Sequence, residues 1–326
     1  MIDLSLLPPP DVVESVDFEE LYQDVLGIFR EFMKDQWTAA LESDPVVKLM
    51  EVMAYREMLV RARVNAAAKA SLLAFARGKD LDNRAADYGV TRLTLRAEDL
   101  DAVPPVEAVM EDDDALLYRT RLSLEALSVA GSSGAYEYHG LSSSAEVAQV
   151  SVDSPRFSGV EVAPALRAQL PPGAIVLVCD YDAGLANPLP GDVSLAVLPT
   201  LASTTPPEQL VAGVLKKLSS EDVRPITDRP RAQLGVPADT SVEAVLWVED
   251  GPDPDVVAKA ARKSLDLAIA GARRLSGQLS LSSVYAALHV TGITRVDLVK
   301  PVEGLVCDKR HYPRATSIVL TTKVMA

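Results

Sequence analysis

The chain has 326 residues, enough for two or three domains at about 100–200 residues each, and its 48% hydrophobic against 24% charged residues is the balance of a packed protein, not of a disordered one. Its 32 basic and 46 acidic residues leave a net charge of -14, which disfavours nucleic acid and anionic membrane surfaces as partners. The charge-free stretch Val193 to Pro207 is too short and too rich in proline to cross a bilayer, and the opening MIDLSLLPPP lacks the basic leader and apolar core of a secretory signal.

The first part reads as helical. Asp17 is placed to cap a helix, with Glu20 as its capping-box partner, and Phe18, Leu21, Tyr22, Val25, Leu26, Phe29 and Phe32 recur at helical spacing. Asp44 and Pro45 open a second helix, expected to run to Arg77 and stop at Gly78. It is apolar on two sides: Val46, Met50, Met53, Val60 and Val64 line one, and Val52, Tyr55, Leu59, Ala62 and Ala66 the other. A helix with two greasy sides needs two neighbours, inside the chain or outside it, and an internal core is the first expectation. A short helix from Asp80 to Tyr88 ends at Gly89. Between Ala97 and Tyr118 lie eight acids and no base, with Pro104 and Pro105 among them, which reads as an extended linker or solvated loop. A helix from Asp112 to about Leu127 follows.

After Gly131 the pattern changes to short strands and helices. Strands are expected over Ala145–Val152, Ala174–Cys179, Val193–Leu198, Thr240–Val248, Ile293–Val299 and Thr316–Val324. Helices are expected over Pro207–Leu218, from the Asp253 cap and Pro254 to about Ala272, and from the Ser280 cap to His289. The fold class is therefore α+β and multidomain. An all-helical N-terminal region (1–97) is followed by an acidic linker and helix (98–130), a first α/β domain (131–235) and a C-terminal α/β domain (236–326).

The catalytic inventory is sparse. His139, His289 and His311 show no metal-binding spacing, and no catalytic, cofactor-binding or metal-binding residue stands out. Ser132 and Ser133 lie between Gly131 and Gly134, outside any nucleophile-elbow pattern, and read as the entry to a helix. Phosphate-binding glycine loops are absent from the sequence. Asp180-Tyr181-Asp182 before Gly184, and Asp250, Asp253 and Asp255 among Gly251, Pro252 and Pro254, read as turns. Cys179 and Cys307 match no redox motif and are expected to be reduced, buried thiols, with a disulfide between them as the alternative. The basic pairs Lys216-Lys217, Arg273-Arg274 and Lys309-Arg310 lack the aromatic interleaving of a nucleic-acid surface.

Several motifs in order resemble the baseplate J-like family, the wedge proteins of contractile phage tails and tail-like bacteriocins (tailocins). They are Ala76-Arg77-Gly78-Lys79-Asp80-Leu81-Asp82 with Ala85, Tyr88-Gly89-Val90 and Arg92; Asp44-Pro45-Val46-Val47-Lys48-Leu49 with Ala54-Tyr55-Arg56-Glu57; Arg119, Arg121-Leu122, Gly131-Ser132 and Ala135-Tyr136; Val223-Arg224-Pro225 with Asp228; and Leu281 to Leu288 followed by Gly292-Ile293-Thr294-Arg295-Val296. The start, with Ile2-Asp3-Leu4 and Pro10-Asp11-Val12-Val13-Glu14, is most like the protein J branch of temperate contractile-tail phages. One departure is clear: residues 156–189 look inserted, with Val160, Val162 and Ile175 to Val178 suggesting an added strand pair.

The resemblance implies a structural protein without enzymatic activity or cofactor. Two copies would join one heterologous wedge protein, six such wedges would ring the central hub next to the sheath-initiator proteins, and the ring would relay the trigger for sheath contraction. It implies self-association through the C-terminal domain and places the N-terminal helices in a shared bundle, with Val46, Met50, Met53, Tyr55, Leu59, Val60 and Val64 as interface residues. It implies a place in the virion tail baseplate or tailocin particle, assembled in the bacterial cytoplasm, with no nucleic acid and no membrane insertion. A receptor-binding or adaptor module built on the insertion is the alternative, and a tail-associated glycan hydrolase using Asp180, Asp182 and His139 a more remote one.

Overall fold

The computed structural model describes residues 8, 12–37, 41–128, 130–249, 251 and 253–324. The Ile2-Asp3-Leu4 and Pro10-Asp11 motifs, and Asp250 and Pro252 of the expected turn, lie outside them. The fold is α+β and separates into two units, one holding the described residues up to Arg92 together with Asp112–Thr120, the other Leu93–Glu111 and the chain from Arg121 onward.

The first unit is helical. In α1 (Phe18–Met33) the Asp17 carboxylate accepts the Glu20 N–H at 3.0 Å, and in α2 (Pro45–Ala70) Asp44 accepts the Val46 N–H at 2.8 Å. Both caps supply an acceptor to otherwise unpaired first-turn donors. Leu26 of α1 packs on Val47 and Met50 of α2, with Tyr22, Val25, Phe29 and Trp37 around them. Phe18 and Phe32, expected on the same apolar stripe, are exposed.

Helix α2 ends at Ala70, short of the expected Arg77, and a series of turns carries the chain to α3 (Gly78–Ala86). Gly78 opens this helix; it does not stop the previous one. Its φ of +53° suits glycine, and its N–H donates to the Asp113 carboxylate at 2.9 Å. Gly89, at φ +70°, closes the turn after α3.

The chain crosses between units within α4 (Asp113–Leu122), shorter than expected because the next turn, Glu125–Leu127, is 3-10. In the second unit the acidic stretch is not an extended linker. β1 (Thr94–Arg96) and β2 (Val109–Met110) pair antiparallel, and Asp99 and Val106 form a bridge above them. The Asp99 carboxylate turns the chain by accepting the Asp101 and Ala102 N–H groups, both at 3.1 Å.

Two mixed sheets follow. The first is built from β3 (Val147–Asp153), β6 (Asp192–Pro199) and β7 (Arg229–Leu234), with β6 central, antiparallel to β3 and parallel to β7. Helices α5 (Ser133–Leu141) and α7 (Pro207–Leu218) bury Tyr136, Leu141, Leu210, Val214 and Leu218 against Val150, Leu195 and Val197. Between β3 and β6 the chain makes a separate two-stranded arm of β4 (Arg156–Gly159) and β5 (Leu177–Tyr181), with the short helix α6 (Pro164–Arg167) between them.

The second sheet has β8 (Val236–Val248) at its centre, antiparallel to β10 (Ile293–Lys300) and parallel to β12 (His311–Val324). Helices α8 (Pro254–Ala272) and α9 (Leu281–Leu288) cover one side, and β9 (Gln278–Leu279) pairs with β11 (Leu305–Val306). The two sheets join through Gly235, whose N–H donates to Val197 at 2.8 Å, and through a small core of Ala196, Leu198, Leu275 and Tyr312. A side chain at Gly235 would fall 2.8 Å from Leu275, which accounts for glycine there.

Candidate assembly interface

Helix α2 presents two contrasting sides. At 3.6 residues per turn, Val47, Met50, Ala54 and Asn65 share one side, and all four are buried. Asn65 has a reason to be there. Its amide donates to the Glu14 carbonyl at 2.8 Å and accepts the Glu14 N–H at 3.0 Å, pinning the segment before α1 along the helix. Arg61 bonds Glu57 at 2.6 Å and pairs with Glu14 at 3.2 Å, closing the same side.

The opposite side is open. Leu49 is 61% exposed, Val60 56% and Met53 55%, and Val52, Tyr55, Leu59 and Val64 are exposed as well. Of the residues the sequence points to, Met50 is buried and Val46 half-buried against α1, whereas Met53, Tyr55, Leu59, Val60 and Val64 lie at the surface. An internal core for the whole helix is thus not what the fold provides: α1 covers the N-terminal turns only. The exposed members of the two apolar sides, Met53, Val60 and Val64 on one and Val52, Tyr55, Leu59, Ala62 and Ala66 on the other, flank one broad surface, with the row Leu49, Arg56 and Arg63 between them. Their spacing of seven residues was the available signal.

Beside this surface, the signature around α3 forms a rigid support. Ala76, Leu81, Ala85 and Leu116 are fully buried and Val90 nearly so. The Arg92 guanidinium bonds Asp82 and Asp113, each at 2.7 Å, and Arg119 donates to the Thr91 carbonyl at 2.7 Å. The Gly78 N–H, then the Arg92 guanidinium, hold the Asp113 carboxyl below its ordinary range.

In the second unit, the other motif residues also serve architecture. Ser132 caps α5 by accepting the Ala135 N–H at 3.3 Å. The Tyr136 hydroxyl donates to Asp228 at 2.8 Å, joining the Gly131–Tyr136 and Val223–Asp228 motifs; burial first, then the Asp228 carboxylate, raise the phenol's pKa. A side chain at Gly131 would meet Asp228 at 2.7 Å and Pro225 at 2.9 Å. Gly131, Tyr136 and Pro225 border a pocket of about 400 Å³ that also includes His139, whose pKa is lowered by burial and by Lys217.

Asp180 and Asp182 do not converge on a reactive centre. Asp180 accepts the Ser158 hydroxyl at 3.0 Å, and Asp182 accepts the Gly184 N–H at 2.7 Å in the expected turn. Among the described residues no group of three or more His, Cys, Asp or Glu side chains is arranged to hold a metal ion, and no helix is long and apolar enough to cross a membrane. Both cysteines are free thiols, but only Cys307 is buried. Cys179 is exposed because β5 belongs to the arm, where neither side of the strand is covered.

The chain is α+β, its motif residues brace its own fold, and its long helix α2 leaves a broad apolar surface open. The family description "Baseplate J-like N-terminal domain" matches residues 42–99, the stretch holding α2 and α3. Over 328 aligned residues the chain is 38% identical to Baseplate protein J of Escherichia phage P2, covering 99% of this chain and 98% of that protein. The chain belongs to the baseplate J-like family. Among solved structures, a chain in the cryo-EM structure of the anti-feeding prophage baseplate aligns over 92% of this chain at 12% identity and a TM-score of 0.27; this chain spans 53% of its length.

Proposed function

We propose that the chain is a structural component of the baseplate of a contractile tail, acting by contact and without bond-making chemistry. The observation that carries this is its 38% identity to a phage baseplate protein over nearly the full length of both chains. In the finer reading, two copies combine with one heterologous wedge protein, neighbouring wedges form a ring around the hub, and the ring relays the trigger for sheath contraction. The particle is a virion tail or a tailocin, assembled in the bacterial cytoplasm. The open side of α2, with Met53, Tyr55, Leu59, Val60 and Val64, is the surface for the shared helical bundle. The domain of residues 236–326 supplies the contact between copies. Support for the bundle comes from the exposure of large apolar side chains that a lone helix pair leaves in water, each of which contributes roughly 1.5–3 kcal/mol when covered.

The test is assembly. Deleting the gene for this chain should yield particles without a complete tail tip, and co-expression with the adjoining tail protein should give a stable complex burying more than about 2,000 Å² in total. A monomer that ignores that partner, or complete tips without this chain, would refute the reading.

A second reading concerns residues 156–189. The arm is tied down at its base, where the Tyr181 hydroxyl donates to Asp153 at 2.6 Å and Lys309 pairs with the same carboxylate at 3.2 Å. Beyond that base Val160, Ile175, Leu177 and Val178 are exposed. If the arm is a receptor or adaptor contact, deleting 156–189 should abolish host attachment and leave particles intact; loss of assembly would assign it to the wedge instead.

A further inference from the structure

The open side of α2 has an internal order that specifies its partner. Its exposed residues fall into rows of seven-residue period: Leu49, Arg56 and Arg63 in the middle, Val52, Leu59 and Ala66 on one flank, Met53, Val60 and Ala67 on the other. This is the repeat of a coiled-coil seam, about 10 Å from one level to the next. Two levels carry an arginine at the centre. The helix has five bases and two acids in a chain of net charge -14, so the local excess of positive charge runs against the whole.

The other bases on α2 with acidic neighbours are already used: Lys48 bonds Glu51 at 2.8 Å, and Arg61 bonds Glu57. Arg56 and Arg63 are exposed, and among the described residues neither has a hydrogen bond or an ion pair. Covering this seam with an apolar helix would strand two guanidinium groups out of water, a penalty that outweighs the apolar gain unless carboxylates meet them. Arginine takes a carboxylate through two parallel N–H bonds, so the match is geometric as well as electrostatic.

Resting on the reading of α2 as a bundle surface, we propose that its outer face captures a helix of a different chain whose apolar seam carries two carboxylates seven residues apart. The seam also tapers, from Leu49, Val52 and Met53 at one end to Ala66, Ala67 and Ala70 at the other, where an open groove of about 730 Å³, bordered by Arg63, extends towards Asp80, Asn83 and Arg84 of α3. The partner therefore places its bulkier seam residues at the alanine end. A second copy of this chain is the weaker match. Its α1 does expose Asp24 and Glu31 seven residues apart, but that side offers only Ile28 and Phe32 as large exposed apolar side chains, because Leu26 is spent on its own α2.

The test uses the full chain and two synthetic helical peptides with one Leu-rich seam, carrying either Glu or Lys at two seam positions seven residues apart. Fluorescence anisotropy should show the Glu peptide binding at least about tenfold more tightly than the Lys peptide, and Arg56→Glu/Arg63→Glu should reverse that order. No binding of either peptide, or equal binding, overturns the proposal. Sedimentation of the chain alone covers the other occupant: self-association broken by Arg56→Glu/Arg63→Glu and restored by adding Asp24→Lys/Glu31→Lys would assign the seam to a second copy and overturn it too. Particle incorporation separates this failure from failure of the function itself. Absence of the unaltered chain from purified particles removes the baseplate reading. Entry of Arg56→Glu/Arg63→Glu at the unaltered level removes the partner assignment alone.

Discussion

The helices of the C-terminal sheet and helix α2 face opposite situations. Val257, Ala261 and Leu265 of α8 and Val284 and Leu288 of α9 are buried against Val242, Ala244, Leu246 and Val248 of β8, so this part of the second unit satisfies its apolar surface from its own chain. Helix α2 is longer than either, yet beyond its first turns it buries mainly Ala54 and Asn65 and leaves its larger apolar residues in water. The lesson is that burial within one chain follows the number of layers the chain can bring together. A sheet with two helices closes a core, whereas a pair of helices closes a single seam and leaves the far side for someone else.

That contrast can be broken or sharpened by substitution. The largest effect is expected from Leu246→Ala, which empties a fully buried site: about 2–5 kcal/mol, read as a shift of the urea midpoint. Next comes Arg92→Ala in the first unit. It frees Asp82 and Asp113, and because those carboxylates are partly solvated the loss should be about 1–2 kcal/mol in the same assay.

A pH dependence should follow at Glu146, a buried carboxylate that accepts the Ser203 hydroxyl at 2.8 Å and the Thr204 and Thr205 N–H groups at 3.1 and 3.0 Å. The Thr205 side chain first, then the other bonds, bring its pKa from 4.5 to about 2. A carboxylate with a lowered pKa in the folded state gives stability that is full above 4.5 and drains away as pH falls towards 2. Glu146→Gln should flatten that part of the stability profile, and an unchanged acid limb would contradict the assignment. The smallest effect is expected from Val60→Ala on α2, within about 0.5 kcal/mol for the lone chain, although the same change should weaken capture of the partner. A loss at Val60 as large as at Leu246 would erase the distinction between the two regions.

Where the sequence was informative, the signals were local. Caps at Asp17, Asp44, Asp253 and Ser280 each sit at a helix start, and the apolar alternation expected over Ala145–Val152, Val193–Leu198 and Ile293–Val299 falls on β3, β6 and β10. Two of the misses share one cause, a partner far away in sequence. Gly78 looked like a helix stop, but its N–H belongs to Asp113, 35 residues on. β7, with Pro230 between two arginines, has no strand-like pattern and owes its place to parallel pairing with β6; at its start Asp192, buried at the head of β6, holds Arg229 and Arg231. The candidate interface was legible as apolar periodicity, including Val60 and Val64. Which side α1 would take, and so which residues stay open, depended on tertiary packing, and the significance of Arg56 and Arg63 appears only once that side is known to be open.

The most direct measurement is electron microscopy of purified tail particles with this chain located in the map. The chain should lie in the baseplate, with the outer face of α2 covered by a helix of a neighbouring chain. Particles with a complete tail tip and no density for this chain, or a tip in which that face stays bare to solvent, would contradict it.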